Sequence, residues 1–252
     1  MRGRSFGYLS GIAIIAAALS VSDAVAQEIN IYQVTVGQPD QKTKEISTEQ
    51  MRQILSDGSA TVLDTRPRAE FVNGHIPGAN TLEGPPSEAI AAVERLVGGE
   101  KNKALVLYCN GPFCQASRRL SGQLVDSGFT NVRRYQLGMP IWRALGGPTV
   151  VEIEGVARIH KNDRTAVFLD ARSAEEFAKQ SLPRALNLPP EAAATVQGSP
   201  MPIDDFNTRI VVFGRDATQA RALADALGKR PWHNVAYFPG SFEALLAAVD
   251  GE

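Results

Sequence analysis

Cysteine is almost absent from this chain: among 252 residues there are two, Cys109 and Cys114, in one short stretch. A disulfide framework spreads its cysteines across a fold, so stapling of the whole structure is excluded. Histidine is nearly as scarce. The three, His75, His160 and His233, share no metal-ligand spacing with either cysteine, and a structural zinc site is not expected. Neither sign of charge dominates, with 26 Lys+Arg against 27 Asp+Glu. That balance offers no basic face for nucleic acid and no pull toward an anionic membrane. The two tryptophans, Trp142 and Trp232, read as core or rim aromatics, and no cofactor is implied. Beyond residue 26 no apolar run approaches the length that spans a bilayer.

The start of the chain is of a different kind. Arg2 and Arg4 precede the apolar run Ile12–Leu19, and Ala24-Val25-Ala26 supplies a small-x-small pattern ahead of Gln27. Residues 1–26 therefore read as a secretory signal peptide, and the expected location is the periplasm with no membrane attachment after cleavage. Loss of that segment leaves about 226 residues and a net charge near −2, enough chain for two ordinary domains. Residues 27–45 read as an N-terminal extension in which Ile29–Val36 alternates apolar and polar side chains, as a strand does.

The remainder is written twice. Ala60-Thr-Val-Leu-Asp64, then Thr65-Arg66 and Arg68-Ala-Glu-Phe71, returns 106 positions later as Ala166-Val-Phe-Leu-Asp170, Ala171-Arg172 and Ser173-Ala-Glu-Glu-Phe177. Strand-like Ala104–Tyr108 matches Arg209–Phe213, and the helical pattern Gln115–Ser127 matches Thr218–Leu227. Short apolar strands alternating with helices predict an α/β fold, two tandem domains each built on a mainly parallel sheet flanked by helices. Ser47 with Gln50, and Ser173 with Glu176, carry the capping-box spacing of helix starts. Gly146-Gly147-Pro148 marks the boundary, placing one domain at 46–150 and the second at 155–252. Leu188–Pro202 reads as an irregular excursion.

Cys109 ends the apolar run Ala104–Tyr108, ahead of a Gly/Pro loop and a helix. A thiol at such a strand-to-helix switch faces free backbone N–H groups and the positive end of a helix dipole, a setting that favours thiolate. The residue matching it in the second half is Gly214, and that half holds no thiol.

With these residues in view, the chain resembles the rhodanese (sulfurtransferase) family in a tandem form. Residues 63–80, LDTRPRAEFVNGHIPGAN, resemble the family's Asp-x-Arg, Glu-Phe and Gly-His-Ile-Pro-Gly-Ala signature; Cys109 and its loop stand where the family carries its active-site loop. Tyr135–Trp142 resembles the closing Gly-Gly-x-x-x-Trp segment, with Leu137 in place of the first glycine. The resemblance implies a sulfurtransferase. Cys109 would take sulfane sulfur from a small donor, thiosulfate or a thiol persulfide or polysulfide, as a persulfide, and pass it to a thiophilic thiol or protein acceptor. Loop residues Asn110, Gly111, Phe113, Gln115 and Ala116 would cradle that persulfide, with backbone amides, that of Cys114 included, turned inward. No metal or cofactor is needed.

Two departures qualify that expectation. Family members that use thiosulfate commonly carry Arg or Lys inside the loop, whereas here the first cations are Arg118 and Arg119, candidates for a contact with an anionic donor. A thiol-bound donor gains weight accordingly. The loop is also longer than the family's, as in related phosphatases, but those carry Arg where this chain has Gln115, and a phosphatase is rejected. Cys114 is the second departure. As a resolving thiol it would attack a persulfide on Cys109 or pair with it reversibly. Two alternatives therefore stay open, a non-enzymatic sulfur-carrier or interaction module and a thiol–disulfide redox protein using Cys109 and Cys114. Asp64, Arg66 and His75 read as supports of the fold, and the sequence says nothing of oligomeric state.

Overall fold

The computed structural model describes residues 41–195 and 205–250. The expected signal peptide, the alternating segment Ile29–Val36 and the last part of the excursion, 196–202, lie outside the described residues.

Each half is a five-stranded, wholly parallel sheet with helices on both faces. The first sheet has the order β1-β5-β4-β2-β3, from β1 (Lys44–Glu45), β2 (Thr61–Asp64), β3 (Asn80–Thr81), β4 (Leu105–Tyr108) and β5 (Val132–Tyr135). The second has the order β6-β10-β9-β7-β8, from β6 (Thr149–Val150), β7 (Val167–Asp170), β8 (Leu186–Asn187), β9 (Ile210–Phe213) and β10 (Val235–Tyr237). The two orders are the same order, so the sequence repeat is a repeat of topology. All four residues of β4, and all four of β9, are buried. That is why these strands read as unbroken apolar runs, since a strand covered on both faces has no polar side to show.

Alternate residues of the first sheet feed two cores. Val62, Val106, Tyr108 and Tyr135 pack with Met51 and Ile54 of α1 (Thr48–Asp57) and with Met139 and Trp142. Leu63, Leu105 and Leu107 pack instead with Val93, Leu120 and Leu124 on the other face. The helices that carry these partners begin where capping dictates. Ser47 Oγ accepts the Gln50 N–H at 3.1 Å while Gln50 Oε1 accepts the Ser47 N–H at 2.9 Å, and Ser173 with Glu176 repeats the device.

Domain edges differ from the sequence reading at two places. Lys44–Glu45, assigned there to an extension, forms the edge strand β1 along β5. Thr149–Val150, assigned to the end of the first domain, is β6 of the second sheet, paired with β10. Both strands are two residues long, too short to show any periodicity.

The same short β6 fastens the halves together. His75 N–H donates to the Val150 carbonyl at 2.9 Å and Val150 N–H returns to the His75 carbonyl at 2.8 Å; Glu152 N–H reaches the Val72 carbonyl at 2.9 Å. Arg68 pairs with Glu152 at 2.8 Å across this seam. Glycine permits the approach, because a Cβ at Gly155 would lie 2.1 Å from the Val72 oxygen. Gly155→Ala is accordingly expected to destabilise the protein by about 2 kcal/mol through overpacking, read as a lower urea midpoint.

Candidate active site

The site stands at the carboxyl ends of β2 and β4, the functional edge of open parallel sheets. Its foundation is a buried polar cluster that the repeat motif supplies. Asp64, at the end of β2, receives the Arg66 Nε–H at 2.9 Å and the Arg66 backbone N–H at 3.0 Å on one oxygen. Its other oxygen receives Arg66 Nη2 and the Tyr108 hydroxyl, the latter at 2.7 Å. Arg66 spends a further N–H on the Gly74 carbonyl at 2.8 Å. Burial works against the Arg66 charge, but the Asp64 carboxylate outweighs it and holds the guanidinium above its ordinary value. Burial, reinforced by Asp64, drives Tyr108 well above the usual phenol range, so Tyr108 stays a donor to Asp64 while accepting the Ile76 N–H at 3.1 Å.

His75 belongs to this foundation. Its Nδ1 lies 3.0 Å from the Phe71 carbonyl, and its ring is stacked on Phe71 with centroids 3.7 Å apart. Burial pushes it below its ordinary 6.5, against the pull of the Phe71 carbonyl and Asp64. The fold therefore prefers neutral His75, and the unfolded chain takes up the proton first as pH falls. Stability from this residue is present above 6.5 and is lost as pH drops toward the lower folded value. His75→Asn is expected to lessen the fall of the urea-unfolding midpoint as pH drops below 6.5.

Above this cluster β4 delivers Cys109, which is 3 % exposed. The segment after β5 is pressed against its loop. Met139 N–H donates to the Cys109 carbonyl at 3.1 Å, and Gln136 Nε2 reaches the Pro112 carbonyl at 3.4 Å. Gly138 sits at φ +60°, where a Cβ would meet the Cys109 oxygen at 2.2 Å and the Gly111 nitrogen at 2.6 Å. That close approach is the physical reason for glycine in the closing motif.

The loop places the candidate residues as follows. The loop carries the N–H groups of Gly111, Phe113, Gln115 and Ala116, while Pro112 has none to give. Gln115 and Ala116 open the helix Gln115–Asp126, whose first N–H groups have no intrahelical partner. The Cys114 amide, expected among the inward donors, is instead spent on the Gly111 carbonyl at 3.0 Å; a turn of this length closes on its own carbonyl. Asn110 contributes backbone only, since its side chain donates to Glu70 at 2.6 Å. The Phe113 side chain is 83 % exposed. Cys109 and Cys114 are joined by a disulfide, with Cα atoms 6.1 Å apart.

Arg118 and Arg119 line a cleft of about 430 Å³ between their helix and residues 41–43, with Gln115, Gly122 and Arg134 also in its walls; Cys109 is not among its walls. Sequence reasoning missed Arg134. It is fully buried beneath this cleft, pairs with Glu45 at 3.4 Å, and leaves Nε, Nη1 and Nη2 without a hydrogen-bond acceptor. Among the described residues no His/Cys/Asp/Glu group is arranged to hold a metal ion, and no helix is long and apolar enough to cross a membrane.

The second domain keeps the foundation and loses the site. Asp170 holds Arg172 at 3.0 and 2.7 Å, and Ser181 takes the place of the tyrosine hydroxyl at 2.7 Å. The chain then passes from β9 through Gly214, Arg215 and Asp216 straight into the helix Ala217–Gly228, with Asp216 as its cap. A Cβ at Gly214 would lie 3.0 Å from Gln219 Oε1 and 3.2 Å from the Ala220 nitrogen. The space a loop would enclose is filled, and Arg215 N–H is spent on Gln219 Oε1 at 3.0 Å. Gly214→Cys in a Cys109→Ser background is therefore expected to gain no sulfur from a persulfide donor, measured by intact mass.

Fold and site together define a tandem α/β protein with one thiol-bearing loop and one closed copy of it. The Rhodanese-like domain model matches twice, at residues 47–145 and 155–248, and the chain belongs to that family. Over 91 residues it is 34 % identical to the HTH-type transcriptional regulator Rv0324 of Mycobacterium tuberculosis, covering 36 % of this chain and 38 % of the regulator's length. Among solved structures, a variant of EanB in complex with hercynine is 18 % identical with a TM-score of 0.37, covering 82 % of this chain and 61 % of that one. Thiosulfate sulfurtransferase from Pseudomonas aeruginosa is 21 % identical with a TM-score of 0.33, covering 77 % and 43 %.

Proposed function

We propose that this protein is a sulfurtransferase that carries sulfane sulfur as a persulfide on Cys109, from thiosulfate or a thiol persulfide or polysulfide to a thiophilic acceptor. The observation that carries the proposal is the placement of Cys109 at the end of β4, at the head of the loop that leads into the N-terminus of the helix Gln115–Asp126. The acting form is the reduced one, with the bond to Cys114 opened. Cys109 thiolate attacks the outer sulfur of the donor. A bond forms between Cys109 Sγ and that sulfur, the donor S–S bond breaks, and sulfite or a thiolate leaves. The N–H groups of Gly111, Phe113, Gln115 and Ala116 are suited to the anionic persulfide, as oriented peptide dipoles are to any anion. An acceptor thiolate, or cyanide in an assay, then takes the outer sulfur and returns Cys109 as thiolate. No general base is required, because the nucleophile acts already ionised.

Lack of a cation in the loop favours a thiol-bound donor over thiosulfate. The test is intact mass of the reduced protein after each donor. One added sulfur is expected in Cys114→Ser, where nothing resolves the persulfide, and Cys109→Ser should gain none; equal gain in the latter overturns the reading. We also propose an exported, periplasmic protein, on the residue pattern of 1–26 alone. A mature chain beginning at Gln27 in periplasmic extract is the result expected.

A further inference from the structure

The loop that presents Cys109 also returns to it. Gly111, at φ +107°, turns the chain, Pro112 follows, and the Cys114 N–H closes onto the Gly111 carbonyl at 3.0 Å. That turn brings Cys114, the residue before helix Gln115–Asp126, within bonding reach of Cys109, and the two sulfurs are bonded. Cys114 makes no side-chain cap to its helix, a role that Ser, Thr, Asp or Asn would fill better. The chain has no other cysteine. A loop whose second thiol neither caps its helix nor staples distant segments has the first thiol as its partner.

We infer that Cys114 resolves the Cys109 persulfide and releases its outer sulfur as hydrosulfide, so that the site reduces sulfane sulfur at the expense of an external dithiol. This rests on the Cys109 persulfide proposed above. Cys114 thiolate attacks Cys109 Sγ, the inner sulfur. The Cys114–Cys109 bond forms, the bond from Cys109 Sγ to the outer sulfur breaks, and that sulfur departs with the electron pair as hydrosulfide. The persulfide's outer sulfur is thereby reduced and the two cysteines are oxidised to the disulfide the structure holds. A dithiol restores them by exchange, being oxidised to its own disulfide. Hydrosulfide is a weakly basic leaving group, and exchange runs fastest toward such leaving groups. Transfer to an outside acceptor differs at one atom only, because the acceptor attacks the outer sulfur and leaves no disulfide.

The experiment uses the full-length chain, reduced, freed of reductant, and exposed to one equivalent of glutathione persulfide with no dithiol present. Hydrosulfide and intact mass are read together, with Cys109→Ser as blank. Wild type is expected to release one equivalent of hydrosulfide and to finish lighter by two hydrogens, with no added sulfur. Cys114→Ser is expected to keep one added sulfur and release at least tenfold less hydrosulfide. A wild-type chain that keeps its added sulfur as stably as Cys114→Ser overturns the inference and leaves the sulfurtransferase reading standing. Added sulfur mapped to Cys114 in wild type overturns it too, since the outer sulfur would then have been attacked. Failure of Cys114→Ser to take up any sulfur overturns the persulfide itself, and the inference falls with it.

Discussion

Cys109→Ser is expected to lower sulfur transfer to cyanide by at least about a thousandfold, equivalent to ~4 kcal/mol at the barrier. The reaction needs a nucleophile that is also a sulfur carrier. A serine oxygen is not ionised at neutral pH, and the one other thiol, Cys114, stands at the start of the helix Gln115–Asp126 rather than at the end of β4, while the second domain has none. The loop is not expected to collapse in this variant. The Met139 N–H bond to the residue 109 carbonyl and the Gly138 contact are backbone features that a side-chain change does not touch. The measurement is thiocyanate formation at matched concentrations of reduced protein, with thermal unfolding alongside. Activity within tenfold of wild type would mean that sulfur moves through another group, and the proposed function would not survive. A large loss with an unchanged unfolding midpoint places the effect in chemistry.

Much of this architecture was legible because the strands that carry it are buried on both faces. Leu105–Tyr108 and Ile210–Phe213 announce themselves as apolar runs, and the helices beside them announce their starts through Ser47 and Ser173. The tandem arrangement followed from the recurrence of an aspartate at the end of such a run. What the sequence hid has physical reasons. β1 and β6 are two residues long, and a period of two needs more residues than that to be seen. Arg134 lay hidden because β5 is a strand of mixed character in which a buried arginine reads as an exposed one until Glu45 is brought beside it from another strand. Tyr108 as the partner of Asp64 was equally invisible, since the two are 44 positions apart and meet only through β2–β4 pairing. Within the loop, sequence named Asn110, whose side chain the structure ties to Glu70 across 40 positions, a partner no local pattern reveals. It did not show that Cys114 spends its own N–H on Gly111 in order to come back toward Cys109.

Asp64→Ala is expected to destabilise the protein by about 4 kcal/mol, the scale set by removing one partner of a buried ion pair. The cost does not come from the lost attraction alone. Arg66 stays buried with the Gly74 carbonyl and, at 3.7 Å, the Glu70 carboxylate as its remaining partners, and the Tyr108 hydroxyl, deep in the core, loses its acceptor. Against a total stability of about 5–15 kcal/mol for an ordinary domain, that is a large share. Asp170→Ala in the second domain makes an informative companion. The Ser181 hydroxyl that loses its acceptor there is only part-buried, and Arg172 keeps the Gln180 carbonyl at 2.6 Å and lies over the Phe242 ring at 3.4 Å, so its loss should be smaller, about 3 kcal/mol. Urea unfolding gives both numbers, and persulfide uptake by the folded fraction separates them further. Tyr108 is the residue before Cys109 and is tied directly to Asp64, so Asp64→Ala should slow sulfur uptake even in protein that remains folded. Asp170→Ala should leave uptake per folded molecule unchanged, because no thiol-bearing loop stands on its cluster. Replacing Asp64 and Arg66 together, by Ala and Met, removes the stranded charge and should recover at least half of the lost stability. If the double variant is no more stable than Asp64→Ala, the penalty lies with Tyr108 rather than with the buried guanidinium.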